Sequence, residues 1–537
     1  MSASREKKQR QNDPDQGLTQ KQRQERAEQQ AAKRRGTLYA VLGVVIAVLV
    51  VILLVWNSGI LQRGTTAASV GGRDYNVTDV AYYYYAAMNQ ESQNYLSSFN
   101  PQEDARTQYV DEAQTQSYYD KFLNEAMESM ASVAALENAA AADGYTLTAE
   151  DRQAVEDNIA SMKSAARQYG YDYSGFLKAN YGRYMTPSAY KTCLERNALV
   201  NGYSMSIREA QEVTESELEA YYKENAASLD SYDYRTIYVD GTAPSATDAD
   251  GNTVEPTEEE RTAALQAAKA QADRFAALVE EAADKEAEFI KLAPDYVTES
   301  RKANYEEDPD YSLAEGINGG TLSSNAMYYG LTYATWLMED GRKAGDVTVV
   351  ESSSGYYVVL FLDRYLEEGN TANIRHILVK AELTQEDDAS TEDVDESRIP
   401  SQEALDAAKT EIDSLLAQWE GGAKTAESFG ALALEHSDDS GSASNGGLME
   451  NVYPGATFPA FNDWCMDSAR QPGDTTVVEN PQEGQQGWHL IYFDSWQPPL
   501  WKVTADTALR NDKMTDWMDG LVEGLETTRG DGAQYVG

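Results

Sequence analysis

The chain contains three histidines, His376, His436 and His489, so any chemistry that needs an imidazole must use these. His376 lies in the run RHILV and His489 in the run GWHLI, and both runs have the β-branched and apolar composition of strands. The acidic pair Asp438-Asp439 lies between them in the sequence. Imidazole and carboxylate side chains transfer protons at active sites and also bind metals. The set therefore indicates a catalytic site or a metal site.

The spacing of these residues argues against a metal site. The histidines and Asp439 occur singly along the chain, without the i, i+4 or C-x-x-C spacing of common metal sites. We therefore expect no metal and no other cofactor. The two cysteines, Cys193 and Cys465, are too few for a disulfide framework or a four-thiolate zinc site, and the sequence leaves open whether they pair.

The elements around the histidines predict a small α+β unit. A strand at 374–379 is followed by a polar loop, a long helix at about 402–419 and a shorter helix at 426–435. A Gly-rich loop and a helix near 461–467 lead to a closing pair of strands that ends at 487–493. Several helices on a small sheet are typical of the α+β class.

An internal repeat predicts that the chain holds two such units. RTIYV at 235–239 matches RHILV at 375–379, and ALQAAK at 264–269 matches ALDAAK at 404–409, both at an offset of 140 residues. Further matches follow in the same order with other offsets: Phe289 with Phe429, Gly319-Gly320 with Gly446-Gly447, Gly345-Asp346 with Gly473-Asp474, and Gly355-Tyr356-Tyr357 with Gly487-Trp488-His489. Ordered matches of this kind are not expected by chance.

In the second unit, RHILV, the stretch HSDD at 436–439, the turn Gly446-Gly447 and the final GWHLI resemble the parvulin family of peptidyl-prolyl isomerases. The resemblance covers about 125 residues, with its four motifs in the family's order. It implies that His376 and His489 lie on neighbouring strands and face each other across the floor of the site. It also implies that Asp439 stands where the family has cysteine or aspartate, beside the substrate carbonyl.

The resemblance further implies an apolar cup for the proline ring. Its members are, by position, Leu448 and Phe461, with Met449 and Phe458 beside them. Thr457 departs from the family pattern, which often has Met or Leu in this wall. Each feature alone also has a structural interpretation, because strand histidines are often core residues and Asp or Gly pairs are common in turns. His436 has no role in the family pattern, and we expect it to be structural or exposed.

The first unit departs from the family at both histidine positions. Thr236 stands for the first histidine and Tyr357 for the second, and neither supplies an imidazole. We therefore predict a degenerate unit that keeps the fold, lacks isomerase activity, and binds chains or spaces the domains.

The charge of the chain limits its partners. With 89 acidic and 44 basic residues its net charge is -45, which argues against nucleic acid because a polyanion is repelled. Phosphorylation-specific parvulins carry arginines in the loop after their first strand, but here that loop is acidic. Its acidic residues are Glu382, Glu386, Asp387, Asp388, Glu392, Asp393, Asp395 and Glu396. The predicted partners are therefore basic or neutral unfolded segments that contain X-Pro bonds.

The amino-terminal region predicts a membrane anchor. Residues 38–56 are 19 consecutive residues without a charge, about 28 Å of helix. The preceding head holds ten basic and five acidic residues, and KRR at 33–35 adjoins the span, which indicates a cytoplasmic amino terminus. The long apolar core and long head disfavour a cleaved signal peptide. We expect a single-pass anchor in the cell membrane with the bulk of the chain extracytoplasmic.

The predicted fold class is therefore α+β with an amino-terminal transmembrane helix. The predicted segments are a basic cytoplasmic tail at 1–36, the transmembrane helix at 37–56, a linker at 57–73, a helical chaperone-like domain at 74–231, the degenerate parvulin-like domain at 232–367, the parvulin domain at 370–498 and a C-terminal helix at 499–537. This organisation resembles the PrsA and SurA extracytoplasmic foldases, which implies an isomerase and chaperone for exported proteins. The alternative is a non-catalytic holdase or assembly scaffold whose parvulin-like units only bind.

Overall fold

The computed structural model describes residues 19–94, 96–247, 253–383, 400–482 and 484–537. The first half of the predicted basic tail, residues 1–18, and all of the acidic loop beyond Leu383 lie outside the described residues. Mixed helices and strands agree with the predicted α+β class. The chain divides into two compact parts: a helical unit, Met1–Gln211 with Asp512–Gly537, and a sheet unit, Glu212–Asn511, which contains both the first and the second unit of the repeat.

The described residues form the following elements. The helices are α1 (Gln20–Asn57), α2 (Ile60–Arg63), α3 (Val77–Ser92), α4 (Tyr118–Ala142), α5 (Ala149–Gln168), α6 (Tyr173–Tyr181), α7 (Pro187–Ala210), α8 (Glu215–Leu229), α9 (Glu258–Glu281), α10 (Lys285–Leu292), α11 (Glu299–Glu307), α12 (Gly319–Tyr329), α13 (Tyr333–Leu337), α14 (Gln402–Gly421), α15 (Ala426–His436), α16 (Pro459–Met466) and α17 (Leu500–Val522). The strands are β1 (Thr66–Val70), β2 (Arg73–Asn76), β3 (Ser231–Asp240), β4 (Ala246–Thr247), β5 (Thr253–Val254), β6 (Leu313–Asn318), β7 (Val347–Glu351), β8 (Gly355–Tyr365), β9 (Asn370–Lys380), β10 (Leu448–Val452), β11 (Thr475–Asn480), β12 (Gly487–Pro499) and β13 (Thr527–Arg529).

Helix α1 is continuous for 38 residues. Its stretch Tyr39–Trp56 is long and apolar enough to cross a membrane, and none of that stretch is buried. An unburied apolar stretch of this length is not a core helix, because a core helix packs its apolar side chains against the protein.

The helical unit is made mainly of helices, and its core is rich in aromatic side chains. Helix α3 carries the four consecutive tyrosines 82–85, of which Tyr83 and Tyr84 are buried. Tyr84 packs edge-on against Phe122 of α4, with ring centroids 5.7 Å apart. The tyrosine run therefore contributes to the core of this unit.

The predicted linker at 57–73 is wrong, because this segment contains the short helix α2 as well as a strand. Strand β1 lies there, antiparallel to both β2 and β13. Ala67, Ala68 and Val70 of β1 are buried. The segment is rich in small and polar residues, as linkers are, and one of its partner strands lies at the far end of the sequence. The local pattern therefore gave no sign of a strand.

The sheet unit contains two four-stranded antiparallel sheets, one in each unit of the repeat, with strand orders β6-β3-β8-β7 and β10-β9-β12-β11. The registers of the central strand pairs agree, since Tyr357 lies opposite Tyr238 where His489 lies opposite Leu378. Helices α9 and α14 cover equivalent faces of the two sheets. The predicted repeat is thus present in the fold.

One of the predicted repeat matches is wrong. Gly319-Gly320 follow the edge strand β6, whereas Gly446-Gly447 precede the equivalent strand β10. The counterpart of Gly447 is Ser312, because its carbonyl accepts a 2.9 Å hydrogen bond from the Thr236 N–H, as the Gly447 carbonyl does from the His376 N–H. Each unit has glycines at this edge but at different ends of the strand, so sequence similarity misaligned them.

The predicted end of the helical domain at 231 is also wrong. Helix α8 belongs to the sheet unit, where its Leu218 and Leu229 pack against Trp501 and Ala505 of α17. A capping box with Thr214 as the N-cap starts this helix. Helical periodicity continues across the boundary, so the sequence pattern could not show where the packing partner changes.

The predicted C-terminal helix at 499–537 is shorter than expected, because α17 ends at Val522. Gly524 adopts a left-handed φ of 77°, which ends the helix, and β13 follows. From Asp512 onward the chain belongs to the helical unit, where Trp517 packs against Tyr203 with ring centroids 6.1 Å apart.

Candidate functional site

Neighbouring strands of the second sheet position the two histidines. His376 of β9 lies opposite Ile491 of β12, and His489 lies opposite Leu378. In an antiparallel pair this register puts the two histidines diagonally on the same face. Their side chains are buried, and the Nδ1 atoms of the two rings are 2.9 Å apart. The predicted encounter of these two residues is therefore present in the structure.

The loop after helix α15 places Asp439 beside this pair. The loop is bound to β9 at both ends: Asp438 N–H donates to the Leu378 carbonyl at 2.8 Å, and the Gly447 carbonyl accepts from His376 N–H. Gly447 has a left-handed φ of 71°, and a Cβ there would lie 2.2 Å from the His376 carbonyl oxygen. Only glycine fits this close approach. As a result, Asp439 Oδ2 lies 3.1 Å from His376 Nε2.

A cavity of about 350 Å³ opens over the histidines, and we refer to it as the histidine cleft. It is lined by His376, Leu378, Lys380, Asp438, Asp439, Ser440, Met449, Ala456, Thr457, Phe458, Phe461, Asn480, Gln482, Gln485 and His489. The Phe461 ring stands perpendicular to the His489 ring at a centroid distance of 5.2 Å. One side of the cleft is thus apolar, and its floor carries imidazoles and a carboxylate.

Three of the four residues predicted to form the cup line the cleft. Met449, Phe458 and Phe461 line the cleft, but Leu448 does not. Leu448 lies opposite Arg375 and Met449 opposite Ile374, and successive strand residues point to opposite faces of a sheet. The family position of the motif identified this strand but not which of its faces meets the cleft. Thr457 lines the wall as expected, and its buried Oγ1 has no hydrogen-bond partner.

The sequence did not point to Ser442. Its buried Oγ lies 2.8 Å from His376 Nε2 and 2.5 Å from Asp439 Oδ2. A serine in a Gly- and Ser-rich loop gives no signal of its own. Its place three residues after Asp439 could have suggested the contact, because the loop turns back on itself there. Asn480, Gln482 and Gln485 also line the cleft and were not predicted.

Burial controls the charge state of the two imidazoles. Burial lowers the pKa of His376, although the nearby Asp439 opposes this change. Burial and the adjacent His376 ring together lower the pKa of His489 to about 3. Burial also acts to raise the pKa of Asp439, but the Ser442 hydrogen bond and His376 outweigh it and hold the pKa below its usual value. At neutral pH the site therefore holds two neutral imidazoles and a carboxylate.

These charge states assign the protons of the network. A carboxylate only accepts, so the Ser442 hydroxyl donates to Asp439 and accepts from His376 Nε2–H. The neutral His376 then has no proton on Nδ1, which accepts from His489 Nδ1–H. In a hydrolase triad the aspartate would bind the imidazole nitrogen that faces away from the serine. Here Ser442 Oγ and Asp439 Oδ2 both lie beside Nε2 of His376, so the arrangement is not that of a hydrolase triad.

Among the described residues, no group of three or more His, Cys, Asp or Glu side chains lies close enough together to hold an ion. Cys193 and Cys465 are both buried free thiols. The third histidine, His436, ends helix α15 outside the cleft and lies 3.8 Å from Glu435.

In the first unit, tyrosines occupy the equivalent face of the sheet. Tyr333 and Tyr357 stack at 5.0 Å between ring centroids, and Tyr234 lies 5.8 Å from Tyr333. Thr236, at the position of the first histidine, has a buried hydroxyl without a partner. Phenol rings therefore fill the space above this sheet, and no imidazole lies there.

Comparison with known proteins identifies the second unit. Residues 376–495 match the Rotamase family model, described as a PPIC-type PPIASE domain. The Chaperone SurA of Methylococcus capsulatus is 29% identical over 216 residues, which are 39% of this chain and 40% of that protein. The Chaperone SurA of Idiomarina loihiensis is 31% identical over 156 residues, or 28% of this chain and 30% of that protein. The chain thus spans well under half the length of these relatives.

Solved PrsA structures are similar over a larger share of the chain. PrsA from Bacillus anthracis is 14% identical and covers 48% of this chain and 85% of its own length, with a TM-score of 0.17. Because that score is low, this similarity carries no further argument. The domain match and the SurA relatives confirm the resemblance to parvulin-type peptidyl-prolyl isomerases and to SurA chaperones.

Proposed function

We propose that this protein is a membrane-anchored peptidyl-prolyl cis/trans isomerase and chaperone that assists the folding of exported proteins outside the cytoplasm. The observation that carries the proposal is the buried pair of His376 and His489, joined to Asp439, at the floor of a cleft with an apolar wall. We assign the catalytic role to these three residues. Met449, Phe458 and Phe461 are the proposed contacts of the proline ring.

Prolyl isomerisation suits a site of this kind. The barrier of about 18–20 kcal/mol comes from C–N resonance in the amide, and no bond has to break. An apolar wall that excludes water and holds the ring favours the twisted amide, in which the resonance is lost. Fixed neutral imidazoles and a carboxylate beside the carbonyl supply a preorganised electrostatic environment. The site needs neither a nucleophile nor a net proton transfer.

The chaperone part of the proposal rests on the similarity to the SurA chaperones. The clients that suit the charge of the chain are unfolded segments that are neutral or basic and contain X-Pro bonds. The alternative is a non-catalytic holdase or assembly scaffold in which both parvulin-like units only bind chains. The intact network of the second unit favours catalysis, whereas the tyrosine-filled first unit is the part that fits a binding role.

An isomerase assay separates these two functions. The full chain in detergent should accelerate cis/trans exchange of an unphosphorylated X-Pro peptide, because the histidine cleft is open to a proline and its neighbours. A phosphoserine before the proline should not increase the rate, since Asp438 and Asp439 line the same cleft. If the full chain is folded by circular dichroism and exchange stays at its spontaneous rate, the protein is not an isomerase and the holdase alternative stands.

The membrane topology can be tested on intact cells or spheroplasts. Protease added outside should digest the chain beyond residue 57 and spare the head before Tyr39, because the basic residues before the apolar stretch favour a cytoplasmic amino terminus. The control is the same digestion after the cells are broken, which should remove the head as well. Protection of the large domains in intact cells would contradict the proposed orientation. A product that lacks the apolar stretch before protease is added would indicate a cleaved signal.

A further inference from the structure

Ser442 occupies an unusual place for a loop serine. Its residue is 6% exposed, in the segment between helix α15 and strand β10. Its hydroxyl joins the catalytic carboxylate to the catalytic imidazole, with 2.5 Å to Asp439 Oδ2 and 2.8 Å to His376 Nε2. Its backbone N–H donates to the same Oδ2 at 3.1 Å. Two bonds from one residue therefore meet a single carboxylate oxygen.

We propose that Ser442 is a positioning residue of the isomerase site, whose hydroxyl holds Asp439 against His376 and fixes the proton of that imidazole on Nε2. The inference rests on the proposed function, because it assigns Ser442 a part in the same site. Ser442 does not line the histidine cleft, so it acts through Asp439 and His376.

The need for such a residue follows from the exposure of Asp439. The Asp439 side chain is 31% exposed, whereas that of His376 is 5% exposed. A carboxylate at the edge of a cleft is attracted to water as well as to the imidazole, so it needs a second bond to stay in place. The serine hydroxyl has one proton and gives it to the carboxylate, which leaves its lone pair for His376 Nε2–H. Alanine at this position removes the two bonds of the hydroxyl, to Asp439 and to His376, with little change in volume, and it keeps the backbone N–H bond to Asp439.

The proton equilibrium of Asp439 supports the same role. Burial acts to raise its pKa, and the Ser442 bond is the largest of the effects that lower it. The other charged or titratable groups around it are His376 on β9, His489 behind it on β12, and Asp438 and Lys380 on the wall of the cleft. A Ser442→Ala variant retains all of these. Loss of the hydroxyl should therefore raise the pKa of Asp439 and move the acid limb of the pH profile to higher pH.

The kinetic test uses three variants of the full chain in detergent. Ser442→Ala should lower kcat/KM for an X-Pro peptide about tenfold at neutral pH and move the acid limb upward by about one pH unit. Ser442→Thr keeps the hydroxyl and should restore most of the rate and the original acid limb. Ser444→Ala, an exposed serine of the same loop, is the matched control and should match the unmodified chain. A purely structural role would lower activity without moving the acid limb, and that result would overturn the proposal.

A second measurement is independent of activity. With only three histidines, ¹⁵N-histidine labelling gives few signals, and His436→Gln identifies one of them. The His376 ring should be protonated on Nε2 in the unmodified chain and should show a mixture of neutral tautomers in Ser442→Ala. An unchanged tautomer in that variant contradicts the role of Ser442. If the unmodified chain lacks isomerase activity, the proposed function fails, while this measurement still decides the role of Ser442.

Discussion

Replacing His376 and His489 together by glutamine should reduce the isomerase activity of the full chain at least about a hundredfold. Both rings are buried and neutral, and they bond to each other through Nδ1 at 2.9 Å. Glutamine approximates the length and polarity of histidine but cannot continue a chain of hydrogen bonds through opposite sides of one ring. The measurement is the exchange rate of an unphosphorylated X-Pro peptide, with folding checked by circular dichroism.

His436→Gln is the matched control for this double variant. His436 is the remaining histidine, lies outside the cleft, and its side chain is 31% exposed. The control should keep the full rate. The double variant also tests the first unit, since Thr236 and Tyr357 stand at its histidine positions. Activity clearly above the spontaneous rate in the double variant would mean either that the first unit is active or that the histidine pair is not the catalytic centre.

The same double variant should retain most of its ability to suppress aggregation of a denatured client, followed by light scattering. A cavity of about 350 Å³ holds little more than a proline and its neighbours, whereas an unfolded chain needs a larger surface. If aggregation suppression disappears together with isomerisation, the two activities share one site, and the proposed division between a catalytic unit and binding surfaces is wrong.

The centre of the site was predicted from the resemblance to the parvulin family. The order of the family's motifs implied that His376 and His489 lie on neighbouring strands and face each other, and the structure has them in that arrangement. The face of an edge strand could not be predicted in the same way. A shift of one residue moves a side chain to the other side of a sheet, which is why Met449 lines the cleft and Leu448 does not. Ser442 was missed because a single hydroxyl has no periodicity.

Packing between distant segments set the limits of the fold prediction. The helix predicted in the segment around Trp517 is present, and Trp517 packs against a core cluster that contains Tyr203. The strand at Thr66–Val70 was missed because its composition is that of a linker and because one of its partners, β13, lies at the other end of the sequence. Helix α8 was assigned to the wrong unit because its apolar positions indicate that it packs but not against which partner.

The last residues of the sequence are part of the core of the helical unit. Val536 is fully buried in the cluster that contains Tyr84 and Phe122. Arg106 donates to the Val536 carbonyl at 2.7 Å, and the Tyr119 hydroxyl donates to the Ala533 carbonyl at 2.6 Å. Together with the pairing of β13 and β1, these contacts close the unit. Disruption of this segment should therefore destabilise the helical unit without changing the histidine cleft.

Val536→Asp should lower the free energy of unfolding of the helical unit by several kcal/mol, because it buries a carboxylate among apolar side chains without a partner. That loss is a large part of the 5–15 kcal/mol that typically stabilises a domain. It corresponds to a fall of roughly 10 °C or more in the Tm of this unit. Gln534→Asp adds the same charge at an exposed position two residues away and should leave the unit intact.

The measurement is limited proteolysis of the full chain in detergent, with isomerase activity followed in parallel. We expect the helical unit of Val536→Asp to be digested while activity persists. Equal protease resistance of the two variants would mean that the closing segment does not stabilise the unit, and simultaneous loss of activity would mean that the histidine cleft depends on it.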